Sequence, residues 1–188
     1  MTVIAAIHDS ETNQTIVGSN SRATLGSLVS PSIDEKWLPI EGWLIGVTGN
    51  GPRLEALQAC AARFPKNTKY PIDVLKFMKS AYDEFDMGEV DEGLKRYCGS
   101  GLIVHKTGSV WDYDNSLCIT EVPLSAFWAR GSGMDMAIGA ALALRQYVKS
   151  PREIMQRVLQ IVVDNDVDCP GEPRVQIFTC DGVIEGAP

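Results

Sequence analysis

Thr2 stands directly behind Met1 and opens the first apolar run of the chain, within MTVIAAIHDSETNQTIVGSNSRATLG at residues 1–26. A first strand that starts on a threonine makes the terminus itself a candidate for the reactive part. Two glycine-rich turns carry further chemistry: Gly49-Asn50-Gly51 and Gly131-Ser132-Gly133, each placed between a strand pattern and a helix pattern. Backbone N–H groups at such a turn can hold an anion. Two turns aimed at one point would serve a reaction that develops an oxyanion. Taken singly, either turn also answers to glycine's freedom to bend sharply. Neither turn is a Walker A or a GxGxxG motif, so neither reads as a nucleotide cradle.

The remaining reactive residue types are sparse. Only His8 and His105 are present, so a His-rich metal site is not expected, and a Ser-His-Asp triad would have to use one of the two. The five cysteines, Cys60, Cys98, Cys118, Cys169 and Cys180, form no CxxC pair and are widely spaced. Reduced thiols in a cytoplasmic protein are the expectation, with Cys169 structural rather than nucleophilic. No cofactor is expected.

Those residues must be positioned by one domain spanning 1–188, a length that buries a good-sized core. Apolar residues make up 45% and charged residues 22%, ordinary for a globular chain. The net charge of −7 argues against a nucleic-acid surface. The acidic clusters at 83–86 and 89–92 read as solvated faces. No apolar run reaches the ~18 residues of a membrane span, and no signal peptide is visible. No internal repeat or linker divides the chain.

Val3–Ile7 and Thr15–Gly18 read as strands around a turn at Asp9–Asn13. Trp37–Val47 reads as a hairpin about Glu41-Gly42. Helical spacing follows from Pro52 to Pro65, and again from Pro71 through Val74, Leu75, Met78, Ala81 and Tyr82. A third, weaker helix is expected over Glu89–Tyr97. Strands are expected at Gly101–His105, Ser109–Tyr113, Leu117–Val122, Phe127–Arg130 and Arg174–Thr179. Between the last two lie an Ala-rich helix running to about Val148 and a helix starting at Ser150-Pro151-Arg152-Glu153. The latter has Ser as N-cap, Pro at N1 and Glu at N3. Helices arrive in pairs between blocks of hairpins, so the expected class is α+β. The expected architecture is two antiparallel sheets with helix pairs outside, four layers in all.

Thr2, SNSRATLG at 19–26, Lys36, GVTGN at 46–50 and RGSGMDMAIGAALAL at 130–144 together resemble the proteasome β-subunit and HslV-like peptidases, a family of N-terminal-nucleophile hydrolases. The likeness covers 2–50 and about 101–180, and only the two helices between. It implies an αββα sandwich and a threonine-type peptidase. A threonine hydroxyl is a poor nucleophile without a base, whereas an α-amine, with a pKa near 7.7–8.0, is partly neutral at cellular pH. Once Met1 is removed, Thr2 would carry nucleophile and base on one residue.

The resemblance also assigns the other roles. Lys36 would be the active-site lysine, whose ammonium lowers the pKa of the Thr2 hydroxyl. Gly49 would donate its N–H to the oxyanion, and Ser132 would sit near the α-amine. Thr24 would hold the substrate backbone by β-type pairing. Val47 and Asp34 would shape the specificity pocket. Asn20 stands where the family carries an aspartate that holds and charges the lysine. Asp166 could replace part of that charge, and an aspartate restored at position 20 is expected to raise activity. Cys169 occupies the serine position of the family's Asp-x-x-Ser-Gly-Gly element, at Asp166-Val167-Asp168-Cys169-Pro170-Gly171. The family further implies homo-oligomeric rings, an ATP-dependent unfoldase partner and a peptide or unfolded-protein substrate. The alternatives are a catalytically impaired ring or scaffold subunit and an N-terminal-nucleophile amidase acting on a small amide.

Overall fold

The first apolar run splits its side chains between two layers. Val3, Ala5 and Ile7 join one buried cluster, while Ile4 and Ala6 join another. That alternation makes Val3–Asp9 a strand, β1, with both faces covered. The computed structural model describes residues 2–22, 24–25, 28–29, 35–49, 52–97, 99–179 and 181–185, with backbone only at 24–25, 28–29 and 183–185.

In chain order, β1 is followed by β2 (Gln14–Asn20), short strands β3 (Thr24–Leu25) and β4 (Leu28–Val29), β5 (Trp37–Ile40) and β6 (Trp43–Val47). Helix α1 (Arg53–Cys60) ends in a 3₁₀ turn at Ala61–Arg63, and α2 (Pro71–Glu84) follows. Next come β7 (Glu89–Asp91), β8 (Leu94–Arg96), β9 (Gly101–His105), β10 (Val110–Tyr113), β11 (Ile119–Val122) and β12 (Phe127–Gly131). The chain continues with α3 (Met134–Leu144), α4 (Pro151–Asn165), β13 (Pro173–Thr179) and β14 (Gly182–Glu185).

Two five-stranded antiparallel sheets result, ordered β12-β1-β2-β13-β14 and β11-β10-β9-β6-β5. Three apolar layers bind them. Ile4, Val17, Trp37, Leu44, Leu102, Val104 and Phe178 fill the space between the sheets. Met155, Val158, Leu159 and Val162 of α4, with Ala137 and Ala141 of α3, cover the outer face of the first sheet. Leu54 and Leu57 of α1, with Val74, Met78 and Tyr82 of α2, cover the second around Trp43 and Ile103. The order is helix, sheet, sheet, helix, as the pairing of helices in the sequence implied.

Glycines permit the closest approaches. A Cβ on Gly18 would lie 2.5 Å from Leu159 Cδ1 and 2.9 Å from Met155 Sδ, so α4 rests almost on the β2 backbone. At Ser150 the expected N-cap forms, its Oγ accepting from the Glu153 N–H at 3.3 Å.

Two expectations are corrected, and one element is new. Glu89–Tyr97 is a hairpin, not a helix. Glu92 and Gly93 take φ of 49° and 80°, the two positive values of a type I′ hairpin turn. The Ala-rich helix α3 ends at Leu144 rather than near Val148. The final strand β14 was not anticipated; it pairs with β13 through Gly182, which carries a φ of 121°.

Candidate active site

Antiparallel pairing on both sides of β1 fixes where Thr2 lies. Val3 sits opposite Gly131 on β12, and Ile4 opposite Ser19 on β2. Pro173, the first residue of β13, sits opposite Asn20. One edge of the first sheet therefore gathers Thr2, Asn20, Gly131 and Ser132. In the second sheet β6 ends on Val47 opposite Gly101, and the Val47 N–H donates to the Lys36 carbonyl at 3.0 Å. Lys36, Val47, Thr48 and Gly49 thus share the matching edge. The two edges meet at Gly131, where a Cβ would lie 3.4 Å from Thr48 Cγ2.

Most of this cluster is withdrawn from water. Thr2 is 6% exposed, Lys36 7% and Asn20 0%. An ammonium and an amide at such depth must be hydrogen-bonded or paired. Lys36 does have an interaction partner. Asn20 uses its whole amide. Its Oδ1 accepts from the Val3 N–H at 3.0 Å, and its Nδ2 donates to the Arg22 carbonyl at 2.5 Å and the Pro170 carbonyl at 3.0 Å. One side chain thereby ties the start of β1 to the loop after β2 and to the loop before β13.

Ser132 donates its hydroxyl to the Thr2 carbonyl at 3.4 Å and lies 3.5 Å from Cys169 Sγ. Gly131 makes that approach feasible. It carries a φ of 101°, and a Cβ there would fall 1.9 Å from the Thr2 carbonyl oxygen. Asp166 caps the end of α4. Its Oδ1 accepts from the Asp168 N–H at 2.9 Å and its carbonyl from the Cys169 N–H at 2.9 Å. It therefore shapes the turn that presents Cys169 to Ser132. Burial pushes the Cys169 thiol up to about 11, and the nearby Asp166 charge adds to the rise. Cys169 is thus a neutral thiol at neutral pH and a poor nucleophile.

The structure brings Thr2, Asn20 and Ser132 together at one sheet edge, with Asp166 one turn behind. It brings Lys36, Val47 and Gly49 together on the other edge. Gly49 carries a φ of 100°, which turns the chain after β6. Thr24 pairs through its backbone with Val29 in the small β3–β4 hairpin. Asp34, and the Asn50-Gly51 half of the first glycine turn, lie outside the described residues. So do Cys98 and Cys180.

Sequence reasoning missed two groups here. Ser21 accepts from the Glu172 N–H at 2.8 Å and backs the Asn20 pin. Arg53, at the first position of α1, is 5% exposed and points at the turn carrying Gly49. An arginine after Gly51-Pro52 reads as a solvated helix start, and nothing in the spacing signals its burial. Among the described residues no group of His, Cys, Asp and Glu could hold a metal ion, and no helix is long and apolar enough to cross a membrane.

No family model matches the chain, and no curated protein matches it in sequence. Solved structures do. Thiobacillus denitrificans BPH in complex with epoxomicin superposes with a TM-score of 0.75 at 15% identity, over 100% of both chains. A further structure of Thiobacillus denitrificans BPH gives 0.76 at 17% identity, again over 100% of both. Eukaryotic HslV from Trypanosoma brucei gives 0.68 at 18% identity, over 93% of this chain and 98% of that one. Together with the two-sheet topology, these likenesses establish that the chain has the fold of the proteasome β-subunit and HslV-like proteins.

Proposed function

We propose that this chain is a threonine-type peptidase, an N-terminal-nucleophile hydrolase that cleaves peptide bonds inside a ring-shaped homo-oligomer. The observation that carries the reading is the placement of Thr2. It is a buried threonine at the head of β1, an interior strand of the first sheet, beside Ser132 and Asn20, on a sheet edge that meets the edge bearing Lys36 and Gly49. The fold shared with an epoxomicin-bound protein supports it.

In this reading the free amine of Thr2 accepts the proton of its own Oγ1 as that oxygen attacks the substrate carbonyl. The Lys36 ammonium favours the alkoxide, and the Gly49 N–H donates to the tetrahedral oxyanion. Collapse forms an ester on Thr2 and releases the amine product with the proton. Water, activated by the same amine, then hydrolyses the ester. Ser132 keeps the Thr2 backbone in place, with Asp166 acting behind it through Cys169. Val47 would shape the specificity pocket, and the Thr24 backbone would pair with the substrate. Assembly into rings would enclose the site, with an ATP-driven unfoldase delivering chains to it.

The test is labelling with a peptide epoxyketone, which needs both the hydroxyl and the free amine of an N-terminal threonine. Mass spectrometry should find one adduct per chain on a species beginning at Thr2, and none on Thr2→Ala. A natively expressed protein that keeps Met1 and takes no label would end the peptidase reading. It would favour a catalytically silent ring subunit, a reading to which Asn20 lends weight because it brings no negative charge to the site.

A further inference from the structure

Arg53 is a buried cation in an unfavourable place. It occupies the first position of α1, where the helix dipole repels positive charge. Among the described residues no carboxylate pairs with it. Its partners are carbonyl oxygens instead: Nε donates to Tyr97 at 3.1 Å and Nη1 to Thr48 at 3.4 Å. A guanidinium kept this deep without a counter-ion is costly. What offsets that cost is to be sought in the carbonyls it faces.

The Thr48 carbonyl belongs to the same amide as the Gly49 N–H. The residue that supplies it is clamped on its other side. The Thr48 N–H donates to the Ser100 carbonyl at 2.9 Å, and its hydroxyl donates to the same oxygen at 2.8 Å. The Ser100 hydroxyl lies a further 3.1 Å from Thr48 Oγ1. Gly99 leaves the room for the guanidinium. A Cβ there would fall 2.5 Å from the Thr48 carbonyl oxygen and 2.9 Å from Arg53 Cζ.

A cation at an amide oxygen draws density from the nitrogen and makes its N–H a stronger donor. At 3.4 Å the contact acts chiefly through charge, which is effective in so dry a setting. We infer that Arg53 is a positioning residue of the oxyanion site: its guanidinium orients and polarises the Thr48–Gly49 peptide so that the Gly49 N–H stabilises the tetrahedral oxygen. This rests on the proposed peptidase reading, and it assigns part of the oxyanion site's strength to a side chain that never touches substrate.

The experiment compares wild type, Arg53→Gln and Arg53→Lys in the assembled, processed protein. Arg53→Gln should lower kcat on a fluorogenic peptide about 10-fold, below the ~10²–10³ typical of deleting an oxyanion donor outright. KM should stay within about 2-fold. The Ki of a peptide aldehyde, whose hemiacetal oxygen occupies the oxyanion position, should weaken by the same factor as kcat. Arg53→Lys should recover part of both. In the unliganded protein the Gly49 amide proton resonance should move upfield in Arg53→Gln and less so in Arg53→Lys.

A folded Arg53→Gln variant with unchanged kcat, aldehyde Ki and Gly49 resonance would overturn the inference. So would a loss confined to KM. If Arg53→Gln does not fold, Arg53→Lys carries the test alone, and a Gly49 resonance and kcat identical to wild type would overturn it. If wild type hydrolyses nothing, the peptidase reading fails, while the Gly49 resonance still decides whether Arg53 polarises that peptide.

Discussion

Asn20 presents an NH₂ group to two backbone carbonyls, at 2.5 and 3.0 Å, in a fully buried position. A carboxylate there would turn both contacts repulsive, so Asn20→Asp carries a cost in stability whatever it does to activity. The substitution should cost about 1–3 kcal/mol in urea unfolding, the range for a buried polar group left unsatisfied. It should also introduce a local pH response. The introduced carboxyl, once protonated, could still donate to one carbonyl, so its folded pKa would lie above the unfolded value near 3.9. The folded state then binds the proton more tightly, and the variant should be most stable below that value and lose stability as pH rises through the folded pKa. A variant as stable as wild type at pH 7 would sink this account. Gly131→Ala should be as severe, since a methyl 1.9 Å from the Thr2 carbonyl oxygen at a φ of 101° must displace Thr2. It should abolish epoxyketone labelling even where circular dichroism shows a folded chain. Thr2, Asn20, Ser132 and Gly49 were legible as candidates because a threonine behind the first Met, a departure from a familiar acid and two glycine turns stand out in one sequence. Arg53 and the Cys169–Ser132 contact were not, because each depends on a backbone approach that no residue spacing encodes.

Among the elements, the β7–β8 hairpin shows how a local pattern misleads. Acidic residues and Leu94 within 89–97 suggest a weak helix, yet Glu92-Gly93 supplies the two positive φ values of a tight hairpin. What holds the ribbon down is Asp83 on α2, which accepts from Lys79 and Lys95 at 2.6 Å each and from the Tyr97 hydroxyl at 2.8 Å. These donors, led by Lys79, hold the Asp83 carboxyl well below the usual carboxylate range. A depressed folded pKa means the contact is fully present above the unfolded value near 3.9 and fades as pH falls through the folded one. Protection of the 89–97 amides, taken relative to their intrinsic exchange rate at each pH, should therefore be high near pH 6 and fall on acidification below the unfolded value. Asp83→Asn should show that lower protection already at pH 6, while β9 and α2 stay protected. The core strands and the other helices were readable because both faces of β1, β2, β6 and β9 carry runs of buried apolar residues, and α2 and α4 show clean helical spacing; the short β3 and β4 and the terminal β14 were not. The ribbon packs little and leaves Val90 and Leu94 exposed, so it left no such pattern.

The molecule as a whole builds its candidate site from two halves. Thr2, Asn20 and Ser132 belong to the first sheet, and Lys36, Val47, Thr48 and Gly49 to the second. The layer between the sheets, Ile4, Val17, Leu44, Leu102, Val104 and Phe178, holds one edge in register with the other. The helix–sheet layers stabilise each half without setting that register. Two truncations separate these roles. Leu102→Ala opens a cavity between the sheets, two residues from Ser100, which clamps Thr48. Met78→Ala opens one beneath α2, on the far side of the second sheet. Both side chains are fully buried, and each loss should cost about 2–5 kcal/mol in chemical denaturation. Only Leu102→Ala should also slow epoxyketone labelling, by roughly an order of magnitude, because even small displacements of a nucleophile from its oxyanion donor are expensive. Measured well below the unfolding transition, where both variants are native, equal labelling rates for the two would mean that the sheets keep their register without help from the inter-sheet core.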